Sequence, residues 1–193
     1  MKKMPLSFYK GEDVVSIARE LLGKIIVTKF DGVTTTGRIT ETEAYNGIVD
    51  KASHAYGNRR TARTEIMYGE GGTAYIYLCY GIHHLFNVVT NVAGIPHAVL
   101  IRGMQPLEGI DAMLRRLGKT KIDKTVGRGP GTVSKALGIT TKLTGHSLIS
   151  KDFFIATDGC KVEPLNIVTG PRVGVEYALE DALLPYRFLY SYK

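Results

Sequence analysis

The stretch KIIVTKFDGVTTTGRITETEAY, residues 24–45, decides the fold. Lys24 to Phe30 is short and rich in β-branched residues, which predicts a strand. Asp31-Gly32 follows, a dipeptide suited to the two left-handed positions of a tight hairpin turn. Val33 to Ala44, rich in Thr and Ile, then reads as the returning strand. Glu41-Thr42-Glu43-Ala44-Tyr45 falls on or at the end of it. A period of two points Thr42 and Ala44 one way and Glu41, Glu43 and Tyr45 the other.

Elements on either side agree with a hairpin-built sheet. Val14, Val15, Ile17, Ala18, Leu21 and Leu22 recur at helical spacing between Asp13 and Gly23, predicting a helix over about 12–22. Further strands are predicted over 73–80, 85–90, 98–102, 153–157, 166–169 and 186–190. Helices are predicted over 107–117, after Pro106, and from Gly129-Pro130-Gly131 through Leu137. Residues 46–72 are polar and Gly-rich, and a loop of that length is usually functional or holds short helices. Regular helical crossovers between strands are missing from this order. The expectation is an α+β fold: a single compact domain over residues 1–193 with a curved, largely antiparallel sheet flanked by helices.

Composition bounds the function. The chain has 193 residues, 44% hydrophobic and 22% charged, which suits one globular domain and excludes a disordered tail. No apolar run nears the roughly 20 residues that span a bilayer, and Met1-Lys2-Lys3-Met4-Pro5 lacks the apolar core of a secretory signal. Cys79 and Cys160 are too few for a disulfide framework, so a reducing compartment is expected, the cytoplasm or a nucleus. With 25 Lys and Arg against 18 Asp and Glu, the chain carries +7. An anionic partner is expected.

Basic residues gather in two places. Arg115, Arg116, Lys119, Lys121, Lys124 and Arg128 form one run, and Lys51, Arg59, Arg60 and Arg63 lie in the long polar loop. Both suit phosphate contacts, as does a solvated basic surface. Gly69-Glu70-Gly71-Gly72 and Gly127-Arg128-Gly129-Pro130-Gly131 resemble phosphate cradles but lack a P-loop ending. Tyrosine is abundant, with 11 Tyr, six Phe and no Trp. Tyr75 and Tyr77 share a strand face, and Tyr80 is better placed at a turn before Gly81. Such rings stack on bases or wedge between them, although ordinary strand packing also accounts for them. Glu43, between Thr42 and Ala44, is the best candidate general base, and Glu41 is its rival. His83 and His84 would point apart, and His54, His97 and His146 show no ligand spacing, so no metal is expected.

Several runs together resemble the alkyladenine DNA glycosylase family. They are Arg38-Ile39-Thr40-Glu41-Thr42-Glu43-Ala44-Tyr45, Ser53-His54, Tyr75-Ile76-Tyr77-Leu78-Cys79-Tyr80-Gly81 with Asn87, and Ala98-Val99-Leu100-Ile101-Arg102. Gly129-Pro130-Gly131 with Lys135-Ala136-Leu137-Gly138-Ile139, Pro171-Arg172-Val173-Gly174-Val175 and Arg187-Phe188 complete the set. The family removes damaged purines by hydrolysing the N-glycosidic bond. The resemblance implies that Glu43 is the general base, with Arg102 and the main-chain carbonyl of Val173 helping to hold the attacking water. It implies that Tyr45 covers one face of a flipped base and His54 with Tyr77 the other, that Asn87 discriminates the purine edge, and that Tyr80 is the wedge filling the gap in the duplex. Arg102 would keep Glu43 ionised. Double-stranded DNA bearing damaged purines is the implied partner. No cofactor, membrane or obligate protein partner is implied, and a monomer is expected. Gln105 replaces a Glu common in the family, and Ile82-His83-His84 departs from the vertebrate run. The sequence ends soon after Arg187-Phe188, so no long docking tail is expected. Charge and tyrosine content alone also permit a non-catalytic module that binds damaged DNA or structured RNA.

Overall fold

The structure is a computed structural model, described over residues 1–190. Its strands form one nine-stranded sheet in which each pairing is antiparallel. The hairpin read from residues 24–45 is its centre: β2 (Ile25–Phe30) pairs with β3 (Val33–Tyr45) across Asp31 and Gly32, both at positive φ. Such a pair of left-handed residues gives the turn a twist that matches the strands. Working outward from β2 lie β7 (Phe153–Thr157) and the short β1 (Lys2–Lys3). From β3 the sheet continues through β6 (His97–Glu108) and β5 (His83–Thr90) to β4 (Ala74–Cys79).

β3 is longer than any one neighbour. β2 covers one edge of it as far as Arg38, and β9 (Arg187–Tyr190), itself paired with β8 (Ile167–Gly170), covers that edge at Glu41, Thr42 and Glu43. Between these two partners the β3–β6 register slips around Glu41, which marks a bulge. Bulges bend a strand and raise its twist, and this one sits beside the two carboxylates. Gly103 lies opposite it, where a Cβ would come within 2.9 Å of Glu41 Cβ and Thr40 Oγ1.

The α-helices pack on one face of the sheet. α1 (Leu6–Tyr9) leads to α2 (Val14–Glu20), where Asp13 caps the helix by accepting from the Val15 N–H at 2.9 Å. The apolar side of α2 (Val14, Ile17, Ala18, with Leu21 and Leu22 beyond) meets Ile39, Ala44, Val99, Ile101 and Phe188. α3 (Ile110–Leu117) and α4 (Pro130–Leu137) extend that core. Thr42 points into this layer and donates to the Ala18 carbonyl at 2.8 Å, so the alternation along β3 turns Glu41, Glu43 and Tyr45 to the opposite face.

Two expectations are corrected. The helix expected from Leu107 begins at Ile110, because β6 runs on through Pro106 to Glu108. Pro106 stands against Gly37 where the β3 ladder is already irregular, and a residue without an N–H is tolerated there. Gly69-Glu70-Gly71-Gly72 is not an open cradle. The Gly71 N–H donates to the Asn91 carbonyl and the Gly72 N–H to that of Val89, each at 2.9 Å, so the segment splices the polar loop onto the sheet. The loop itself contains three 3₁₀ turns, at Gly47–Val49, Tyr56–Asn58 and Glu65–Tyr68. Among the described residues no helix is long and apolar enough to cross a membrane.

Candidate active site

The face of the sheet opposite the helices carries a cleft of about 410 Å³. That size suits a small organic group and not a macromolecular surface. β3, β4, β5 and β6 form its floor, and the polar loop, the start of α4 and the segment after β8 form its sides. The sequence candidates Tyr45, His54, Tyr77, Tyr80, Asn87, Arg102 and Val173 all line it. Residues separated by up to 128 positions in the chain are thereby brought together.

Glu43 lies just beneath the lining, with its side chain fully shielded from solvent. Its Oε1 accepts from the Val173 N–H at 2.7 Å and lies 3.4 Å from Arg102 Nε, and its Oε2 accepts from the Tyr45 hydroxyl at 2.9 Å. Burial pushes the carboxyl above its ordinary range, while the Arg102 charge, the Val173 N–H and the Tyr45 hydroxyl pull it back. Arg102 is therefore a counterweight to desolvation, and a shared one. Its Nε also donates to Glu41 Oε1 at 3.2 Å, and Arg187 Nε donates to that same oxygen at 2.6 Å. Glu41, the rival candidate, is thus committed to two arginines. The contact made by Val173 is through its N–H to the carboxylate.

Burial lifts the Tyr45 hydroxyl well above its usual range, and the neighbouring Glu43 charge adds to this, so the phenol stays a donor. Behind Tyr45 lies Arg172, whose guanidinium is 4.9 Å from the ring centroid. Arg172 forms a buried two-pronged pair with Asp50, at 2.5 and 2.8 Å, and donates to the Ala44 and Asp181 carbonyls at 2.8 and 3.1 Å. Asp50 also accepts from the Asn46 and Ala52 N–H groups. One ion pair thus fastens the polar loop, the end of β3 and the Val173 segment to each other. In the sequence Arg172 stands out only as part of a motif, and Asp50 does not stand out at all. Opposite charges far apart in a chain give no signal until the fold joins them.

On the far side, the His54 ring meets Tyr77 at 4.7 Å between centroids with planes 77° apart. The two were expected to share one face of a base, and at that angle their rings do not lie in a common plane. His54 Nδ1 is 2.8 Å from the Tyr75 hydroxyl, and its Nε2 is 3.1 Å from an Arg63 nitrogen. Burial, then Arg63 and Arg59, pushes the imidazole down to about 4, so it is neutral near pH 7. Asn87 is buried, and its amide nitrogen is held by the Tyr75 and Leu85 carbonyls, both at 3.2 Å.

Tyr80 stands at the tip of the β4–β5 hairpin and is 91% exposed. It and Gly81 both have positive φ, in a turn closed by the Ile82 N–H donating to the Cys79 carbonyl at 3.2 Å. Ile82 and Leu78 beside it are exposed too, so the tip is an apolar prow at the rim of the cleft. His83 and His84 point apart as expected: His83 lines the cleft, and His84 Nδ1 accepts from the Thr141 N–H. Gly131, at the start of α4, packs on His83, where a Cβ would come within 2.9 Å of the ring.

The basic clusters divide on inspection. Arg116 donates to the Ala136 carbonyl at 2.8 Å and Lys119 pairs with Asp123, so part of the 115–128 run is structural. In the polar loop Lys51 pairs with Glu180 and Arg60 with Glu65, and Lys51, Arg59 and Arg63 line a second, basic cavity of about 540 Å³. His54 and Tyr177 belong to both cavities. Tyr177 came unannounced, in a stretch with no strand or helix periodicity.

Residues 7–193 match the methylpurine-DNA glycosylase family. A Chlamydia abortus protein provisionally named 3-methyladenine DNA glycosylase is 48% identical over 191 residues, 98% of this chain and 99% of its own. Similarly named proteins of Bacillus mycoides and Desulfitobacterium hafniense are 45% and 42% identical, each covering 97% of this chain and 95% of the relative.

Proposed function

The chain belongs to the methylpurine-DNA glycosylase family, and from that premise we propose that it repairs DNA by releasing damaged purines, 3-methyladenine among them. The proposed range also takes in 7-methylguanine, hypoxanthine and ethenoadenine. A stacked base is out of reach of any side chain, so the nucleotide must leave the duplex at a cost of a few kcal/mol. Tyr80 and its apolar neighbours are shaped to fill the gap left behind. The extruded base enters the aromatic cleft between Tyr45 and the His54–Tyr77 wall. Asn87 limits what fits at the purine edge. Its amide hydrogens are already committed to main-chain carbonyls, so it discriminates by bulk.

Cleavage of the C–N bond builds positive charge on the sugar. Glu43 stabilises that charge and takes a proton from the attacking water. An ionised carboxylate offers about four acceptor positions. The Val173 N–H and the Tyr45 hydroxyl use two of them, while the Arg102 Nε–H is given to Glu41, which leaves room for a water. The Val173 carbonyl and Arg102 complete its hold. No lysine is proposed as a nucleophile, so the product is an abasic site and not a nicked strand. The enzyme works as a monomer without a cofactor.

One observation carries the reading: a buried carboxylate, raised toward basicity, held by two donors with the Arg102 charge beside it, directly under an aromatic cleft. The test is single-turnover release of free base from duplexes carrying each lesion. Wild-type protein should release base and leave the strand intact. Glu43→Gln should release it at least about 100-fold more slowly while still binding an abasic-site analogue. Wild-type binding to lesions with no release would instead make the protein a non-catalytic damage-binding module.

A further inference from the structure

Arg63 touches three aromatic groups on one side of the cleft, His54, Tyr75 and Tyr77. One guanidinium nitrogen donates to His54 Nε2 at 3.1 Å, its Nε donates to the Tyr75 hydroxyl at 3.4 Å, and its central carbon lies 4.7 Å from the Tyr77 ring centroid. Arg63 lines the basic cavity but not the cleft, Tyr77 lines the cleft but not the basic cavity, and His54 lines both. The cation therefore sits behind the wall, on the side away from a bound base.

Two chemical consequences follow from this placement. Arginine has only donors, so His54 Nε2 must accept; its ring proton then belongs on Nδ1, facing the Tyr75 hydroxyl. A cation over one face of Tyr77 also occupies the electron-rich surface that would otherwise draw a positively charged guest to the other face. Purines alkylated at N3 or N7 are cationic while joined to the sugar, whereas hypoxanthine and ethenoadenine are neutral.

We infer that Arg63 is a positioning and specificity-determining residue: it fixes the tautomer of His54 and biases the cleft toward neutral damaged purines over cationic ones. The inference rests on the glycosylase reading. It differs from a plain phosphate contact, which would affect all lesions alike.

The experiment compares single-turnover excision of 7-methylguanine and hypoxanthine by wild type, Arg63→Met and Arg63→Lys. A charge about 8 Å from the guest, one ring beyond Tyr77 and partly screened, is expected to shift the ratio by about three- to ten-fold. Arg63→Met should raise the 7-methylguanine to hypoxanthine ratio by that factor, and Arg63→Lys should stay near wild type. Nitrogen NMR of the wild-type imidazole should report the Nδ1–H tautomer, with the Nε2–H form appearing in Arg63→Met. An unchanged ratio, with both rates falling together, would overturn the specificity role. An Nε2–H imidazole in the wild type would overturn the clamp whatever the variants do. If wild-type protein releases neither base, the glycosylase reading fails and the specificity role falls with it, while the imidazole spectrum still decides the clamp.

Discussion

The Tyr45 hydroxyl donates to Glu43 Oε2 at 2.9 Å, so the ring that covers one side of the cleft is tied by its own polar end to the buried carboxylate. Occupation of the cleft and the basicity of Glu43 are joined in one side chain. Two residues apart on a strand, they share a face because the period is two.

Tyr45→Phe keeps the ring and deletes the donor. A hydrogen bond to a charged acceptor is worth about 1.5–3 kcal/mol, so losing the Tyr45 donor should push the Glu43 carboxyl, already raised by burial, further up. A general base, the role proposed for Glu43, acts in its deprotonated form. The acidic limb of the pH–rate profile should therefore move to higher pH, with the plateau at high pH reduced far less. Single-turnover rates across the acidic range measure this. A profile that keeps its midpoint would mean that the hydroxyl does not act on the carboxylate.

The Asp50–Arg172 pair is buried on both sides, with side-chain exposures of 1% and 0%. Removing one partner strands the other charge, at a cost of about 3–5 kcal/mol. Asp50→Asn and Arg172→Met should each fall in that range by urea unfolding. The double variant should lose much less than their sum. Simple additivity would show that the two groups are not energetically coupled.

Tyr80 holds a φ of +51°, which suits glycine better than tyrosine. Little of the ring is buried, so nothing in the fold repays this strain, and Tyr80→Gly should leave stability unchanged or raise it by up to about 1 kcal/mol. The same change should weaken excision from paired duplex more than from a lesion opposite a gap, where no vacancy needs filling. Thermal unfolding and excision from the two substrates are the measurements. Equal loss on both substrates would assign Tyr80 to general DNA contact.

Much of this was legible from local pattern. Asp31-Gly32 announces its hairpin, and alternation along Glu41 to Tyr45 sets Thr42 and Ala44 apart from Glu41, Glu43 and Tyr45, though only the fold shows which side is core. Other features needed the fold. Pro106 reads as a break, yet β6 passes through it because Gly37 opposite is already out of register. Gly71 and Gly72 look like a phosphate cradle until their N–H groups are found on sheet carbonyls. Arg63 reads as one cation among four, and only the approach of the polar loop to β4 sets it behind His54 and Tyr77. Long-range pairing of charges has no periodicity, so sequence reasoning finds the strands and misses the braces between them.

His54 offers a last check, on stability. Its folded-state value of about 4 lies below the ordinary value of 6.5, with burial as the main cause. Between those limits the unfolded chain binds a proton on this residue and the folded chain does not. Stability is therefore fully present above about pH 6.5 and declines as pH falls toward 4. The contribution is on the order of 3 kcal/mol for a shift of this size. His54→Gln removes the titrating group, so its unfolding free energy should fall less steeply between pH 7 and 5 than that of wild type. Urea titrations of both proteins at half-unit pH steps compare the slopes. Parallel curves would mean that the imidazole takes up its proton as readily in the fold as in the unfolded chain, so that neither burial nor Arg63 holds it neutral below pH 6.5.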